Sequence, residues 1–148
     1  MYKNLQAGDI IGVKRFLYSH YGVFVGDGKV IHYSGDGGDF KGKKRIRYGT
    51  MNEFLGNKKE FFELVFSEIH QKPEKEKRYE TQNEKYHLFT PEETVERAKS
   101  RLGETKYNLA LNNCEHFAIW CKTGISESYQ VKAVLKNFVE IKEKNIMV

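Results

Sequence analysis

Hydrophobic positions change period along this chain. Over residues 9–69 they come in short runs rich in β-branched and aromatic side chains, as strands do. From residue 90 onward they recur every three or four positions, as helices do. Residues 9–15 read as a first strand after a Gly8-Asp9 turn. Residues 18–34 contain two apolar runs flanking Gly26-Asp27-Gly28, which predicts a hairpin. Residues 43–48 are basic and predict an edge strand, where like charges also deter edge-to-edge pairing. Thr50 with Glu53 makes a capping box for a short helix that Gly56 ends, and residues 60–69 predict another strand. Thr90-Pro91-Glu92-Glu93 opens a helix with Val95, Ala98 and Leu102 as its apolar stripe and Gly103 as its stop. Residues 115–122 predict a helix closed by Thr123-Gly124. Residues 127–143 predict a last amphipathic helix with Val131, Val134, Leu135, Phe138 and Ile141 on one face. Residues 35–42 and 71–86 read as loops, the first Gly-rich, the second alternating Lys and Glu around Pro73.

The hairpin turn decides where two histidines fall. A two-residue Asp27-Gly28 turn would put His20 and His32 on opposite faces of the ribbon. A three-residue Gly26-Asp27-Gly28 loop, with Gly28 left-handed in a bulge, pairs Phe24 with Val30 and Gly22 with His32. His20 then lies opposite Ser34, on the face of His32 and one diagonal step away. Glycine at the third loop position favours the second arrangement.

Length and composition narrow the class. The chain has 148 residues, 39% of them hydrophobic, which fits a single domain with a proper core. Two cysteines make no disulfide framework, and neither a secretory leader nor an apolar run of bilayer length is visible. The expectation is a soluble, cytoplasmic protein. A net charge of +5 suits anionic surfaces, but 30% of residues are charged with both signs mixed, so a solvated Lys-rich surface explains it as well.

Candidate chemistry centres on Asn112-Asn113-Cys114-Glu115-His116-Phe117. Cys114 directly follows two good N-capping residues, so it sits in the first turn of the predicted helix. There the N–H groups are unpaired and the dipole is positive, which favours a thiolate. Cys114 therefore reads as a nucleophile, with His20 and His32 as a base and the group that orients it. Cys121 lies seven residues on, about 10 Å along the axis, and reads as a buried apolar residue. Neither the His20–His32 nor the Cys114–His116 spacing matches a zinc site, so no metal is expected. The Gly-rich loop lacks the Gly-Lys-Ser/Thr of a phosphate loop.

Taken together, Ser-His20-Tyr-Gly-Val-Phe-Val-Gly-Asp-Gly, Val-Ile-His32-Tyr and Asn113-Cys114-Glu115-His116-Phe117 resemble the lecithin:retinol acyltransferase-like family. That family includes the vertebrate phospholipase A/acyltransferases and belongs with the NlpC-type cysteine enzymes. The resemblance covers about residues 8–124, within one domain spanning 1–148. It implies an α+β fold, an antiparallel sheet packed against helices in a permuted papain-like order, histidines first and cysteine last. It implies that Cys114 takes an acyl group from a phospholipid or other acyl ester as a thioester and passes it to water, an amine or an alcohol. His20 would be the general base and His32 the polar third member. Tyr18, Tyr21 and Asn113 are candidates for supporting the oxyanion. No cofactor and no nucleic-acid partner are implied. Vertebrate members usually carry a C-terminal transmembrane helix; this sequence ends in Lys-Glu-Lys-Asn-Ile-Met-Val, so any membrane contact is expected from the surface. The alternatives are an NlpC-type peptidase or amidase, and a non-catalytic RNA- or protein-binding module like the picornavirus proteins that share the His-box and Asn-Cys signature.

Overall fold

A computed structural model describes residues 4–35, 43–67, 87–109 and 112–145. The chain runs through strands β1 (Ile10–Lys14), β2 (Ser19–Gly26), β3 (Lys29–Ser34) and β4 (Arg45–Thr50), then helix α1 (Met51–Leu55) and strand β5 (Glu60–Phe66). Helices α2 (Pro91–Lys99), α3 (Cys114–Thr123) and α4 (Ser128–Asn137) follow, and strand β6 (Val139–Asn145) comes last. The strands form one antiparallel sheet in the order β4-β3-β2-β1-β5-β6. This is the α+β class expected, with the basic strand β4 at an edge.

Side-chain alternation splits the core in two. On one face Ile11, Val13, Phe24, Val30 and Phe61 pack against Met51, Phe54 and Leu55 of α1. Thr50 and Glu53 hold the start of α1 by the reciprocal capping bonds that the sequence predicts. On the other face Ile10, Val23, Ile31, Tyr33, Ile46, Phe62 and Leu64 pack against Ala98 of α2, Phe117 to Ile119 of α3 and Val131 and Val134 of α4. Phe117 and Ile119 are fully buried, each worth about 1.5–3 kcal/mol relative to exposure.

Three expectations need correction. The hairpin keeps the expected pairing of Phe24 with Val30, but by a different device. Its turn is the two-residue Asp27-Gly28, with left-handed φ of 53° and 69°, which suits the strand twist. The register shifts between Phe24 and Gly26 instead, so Val25 is the extra residue. Helix α2 stops at Lys99 with Ser100 as its cap, short of Gly103, and Leu102 is 38% exposed in the following turn. The final helix ends at Asn137 rather than 143, and residues 139–145 form β6 against β5. Pairing with the open edge of β5 outweighs the helix propensity of this Glu/Lys stretch, and Lys144 bridges to Glu63 at 3.4 Å. Ile141 is thereby 60% exposed on a strand, not part of a helical apolar face. No described helix is long and apolar enough to cross a membrane. The predicted loop at 71–86, and that at 35–42 apart from its first residue, lie outside the described residues.

Candidate active site

Strands β2 and β3 bring the two histidines together. His20 Nε2 stands 2.8 Å from His32 Nδ1, a hydrogen bond in which one nitrogen donates and the other accepts. Both side chains are buried. Phe54 of α1 packs on each imidazole, with ring centroids 5.1 Å from His20 and 5.5 Å from His32. Two glycines make room for this stack. A Cβ at Gly49 would lie 2.7 Å from His32 Nε2, and one at Gly22 would lie 3.0 Å from the Phe54 ring.

The cysteine arrives from the opposite layer. Asn113 is the N-cap of α3, and its Oδ1 accepts from the His116 backbone N–H at 3.0 Å. Cys114 is therefore the first helical residue, and Gly124 closes the helix with φ 79°. The same Asn113 Oδ1 lies 2.7 Å from His116 Nδ1, and His116 Nε2 lies 2.8 Å from Ser128 Oγ of α4. Asn113 Nδ2 donates to the Leu109 carbonyl at 2.8 Å. Burial pushes His116 below its usual pKa, against a smaller opposing effect of Glu127, so the ring is neutral near pH 7.

Asn112 is anchored separately. Its Nδ2 donates to Glu104 Oε2 at 3.2 Å, to Tyr33 Oη at 3.2 Å and to the Lys106 carbonyl at 2.9 Å. Arg101 grips Glu104 through two bonds of 2.8 and 2.6 Å, donates to Asn112 Oδ1 at 3.2 Å, and lies over Phe117 and Trp120. The Tyr33 hydroxyl also donates to Glu104. Burial alone would raise the Glu104 pKa, but hydrogen bonds from Arg101, Tyr33 and Asn112 bring it down to about 2. These partners and His116 are what sequence reasoning missed. Their only signal was a second asparagine and a histidine inside the cysteine motif.

A cavity of about 480 Å³ opens at the start of β2. Cys114, His20, Asn113, Tyr18 and Tyr21 all line it; His32 reaches it only through His20. Leu17, Leu109, Tyr33 and Tyr107 make much of the remaining wall. Burial, helped by the nearby Glu115 and Cys114, pushes the Tyr21 phenol up to about 12, so its O–H stays a donor at neutral pH. Glu115, also on the wall, is raised by burial, against the charge of Lys132. Cys121 is buried two turns further along α3, unpaired with Cys114, and burial pushes its thiol well up. Among the described residues no group of three or more metal-ligating side chains converges.

A sequence model of the family described as lecithin retinol acyltransferase matches residues 3–127. Among curated proteins, human phospholipase A and acyltransferase 2 is 31% identical, over 84% of this chain and 74% of that protein. Bovine lecithin retinol acyltransferase is 29% identical over 88% of this chain, which spans 60% of the bovine length. Human phospholipase A and acyltransferase 3 is 27% identical over 86% of this chain and 76% of its own.

Proposed function

Because the chain belongs to the lecithin retinol acyltransferase family, we propose that it is a thiol-dependent acyltransferase or phospholipase in which Cys114 attacks the ester of a phospholipid. One observation carries this reading. A cysteine at a helix N-terminus and a buried, hydrogen-bonded pair of histidines border one largely apolar cavity.

The chemistry follows from the geometry. His32 occupies His20 Nε2, so proton exchange with the thiol runs through His20 Nδ1. His20 takes the Cys114 proton, and the helix N-terminus favours the resulting thiolate. Sulfur adds to the ester carbonyl, and the oxyanion is met by the Cys114 backbone N–H, with the protonated Tyr21 phenol as a second donor. Tyr18 supports the same wall, and Asn113 acts by holding the helix start. Collapse breaks the ester C–O bond, and His20 returns its proton to the leaving lysophospholipid alkoxide. The thioester then passes its acyl group to water, an amine or an alcohol, with His20 removing the acceptor's proton. His32 keeps the His20 ring oriented and supports its positive charge.

In this reading the chain works as one domain in the permuted papain-like order, at a membrane surface reached from the cytoplasm. A peptidase needs an open polar groove; walls of leucine and tyrosine favour a lipid chain over a peptide. The test is release of fatty acid and lysophospholipid from phosphatidylcholine vesicles. Wild type should release both and Cys114→Ala neither; equal release by the two would overturn the reading.

A further inference from the structure

Three large apolar side chains stand almost fully in solvent beside the cavity mouth. Phe16 is 92% exposed, Leu17 82% and Leu109 72%. Two separate segments carry them. Phe16 and Leu17 form the tip of the β1–β2 connection, which the Arg15 N–H closes by donating to the Tyr18 carbonyl at 2.8 Å. Leu109 directly follows Asn108, whose backbone is fixed by paired bonds of 3.0 and 2.9 Å with Asn112. Leu17 and Leu109 both line the cavity that holds Cys114. Isolated exposed leucines need no explanation, but a ring of them on braced loop tips around an opening does.

Lysines supply the exposed charge at this rim. Lys44 lines the cavity with its ammonium 5.1 Å from the Tyr107 ring, and Lys43 and Lys106 beside it are exposed. The nearby Glu104 is engaged by Arg101, and Glu115 lies within the cavity wall.

Resting on the reading of the site as lipid-acting, we propose that this rim docks the protein on anionic phospholipid bilayers, with Phe16, Leu17 and Leu109 entering the headgroup–acyl boundary and Lys43, Lys44 and Lys106 meeting the headgroup phosphates. Apolar tips rimmed by lysine are the combination that holds proteins at such an interface. The mouth then faces the membrane, and an ester reaches Cys114 without its acyl chain crossing water. A protein partner on the same rim would close the opening through which the substrate must pass.

Vesicle flotation with the Cys114→Ala protein tests the docking without turnover. Binding is expected to phosphatidylcholine vesicles containing phosphatidylserine, weaker without phosphatidylserine and weaker at high salt. Phe16→Ser should reduce it about tenfold, and Lys106→Glu should reduce it on the anionic vesicles only. Phe16 does not line the cavity, so Phe16→Ser should cleave a soluble short-chain ester like wild type while losing activity on vesicles. Unchanged vesicle binding and unchanged vesicle turnover in Phe16→Ser would overturn the docking, even if the thioester forms on soluble ester. Absence from vesicles, with a dimer that Phe16→Ser dissolves, would also overturn it. Vesicle binding that depends on Phe16, with no acyl adduct from any ester, would sustain the docking and remove the catalytic reading.

Discussion

His20 Nε2 lies 2.8 Å from His32 Nδ1, and a single ring, Phe54, packs on both. The two imidazoles therefore move as one unit, and their substitutions separate in size. His20→Ala removes the base and should lower kcat/KM by about a hundred- to ten-thousand-fold. His32→Ala should cost less, and His32→Gln, which keeps a hydrogen-bonding group toward His20, less still. Steady-state kinetics on a soluble ester would measure the order; a His32→Ala loss equal to that of His20→Ala would mean that His32 does more than orient.

Gly49 controls the other side of the pair. A Cβ there would meet His32 Nε2 at 2.7 Å, so Gly49→Ala must displace the ring. Overpacking of this kind costs about 1–3 kcal/mol, which thermal unfolding would register. The kcat should fall with little change in KM, because the displaced ring acts on His20 rather than on the substrate.

Glu104 ties Arg101, Tyr33 and Asn112 into one network just before the cysteine. Glu104→Gln leaves strong donors without their carboxylate and should destabilise the protein by about 1–3 kcal/mol at pH 7. The folded pKa, about 2, is depressed from the usual carboxylate value of 4.5. The contribution is thus present above pH 4.5 and fades as pH falls toward 2. Denaturant titrations of both proteins should converge over that window.

His116 gives a pH dependence of its own. Burial depresses its folded pKa below 6.5, so the unfolded chain takes up the proton first as pH falls. The neutral ring's contribution is present above pH 6.5 and is lost on acidification below it. His116→Asn should be less stable than wild type at pH 8 and show a flatter decline between pH 7 and 5. Parallel declines in the two proteins would place the acid sensitivity elsewhere.

Much of this was legible locally. The helix at Cys114 follows from Asn113 before it and Gly124 after it, and α1 from Thr50 and Glu53, because caps act over three or four residues. The facing of His20 and His32 was readable from the glycines of the hairpin, although the extra residue proved to be Val25 and not a third loop position. The end of the chain was not readable in this way. Val131, Val134 and Phe138 satisfy a helical period, while Val139 and Ile141 alternate; only the partner edge of β5, some 80 residues earlier in sequence, decides between the two periods. The network around Asn112 was hidden for a similar reason, since Tyr33 and Asn112 lie 79 residues apart. Spacing within one element carries no trace of a bond between distant ones.

Intact-mass spectrometry after incubation with phosphatidylcholine vesicles tests the role of Cys114 most directly. Wild type should gain the mass of one acyl group, lost again on treatment with hydroxylamine, and Cys114→Ala should gain nothing. An unmodified wild-type protein that nevertheless releases fatty acid, or the same adduct on Cys114→Ala, would contradict the thioester and the assignment of Cys114 as its site.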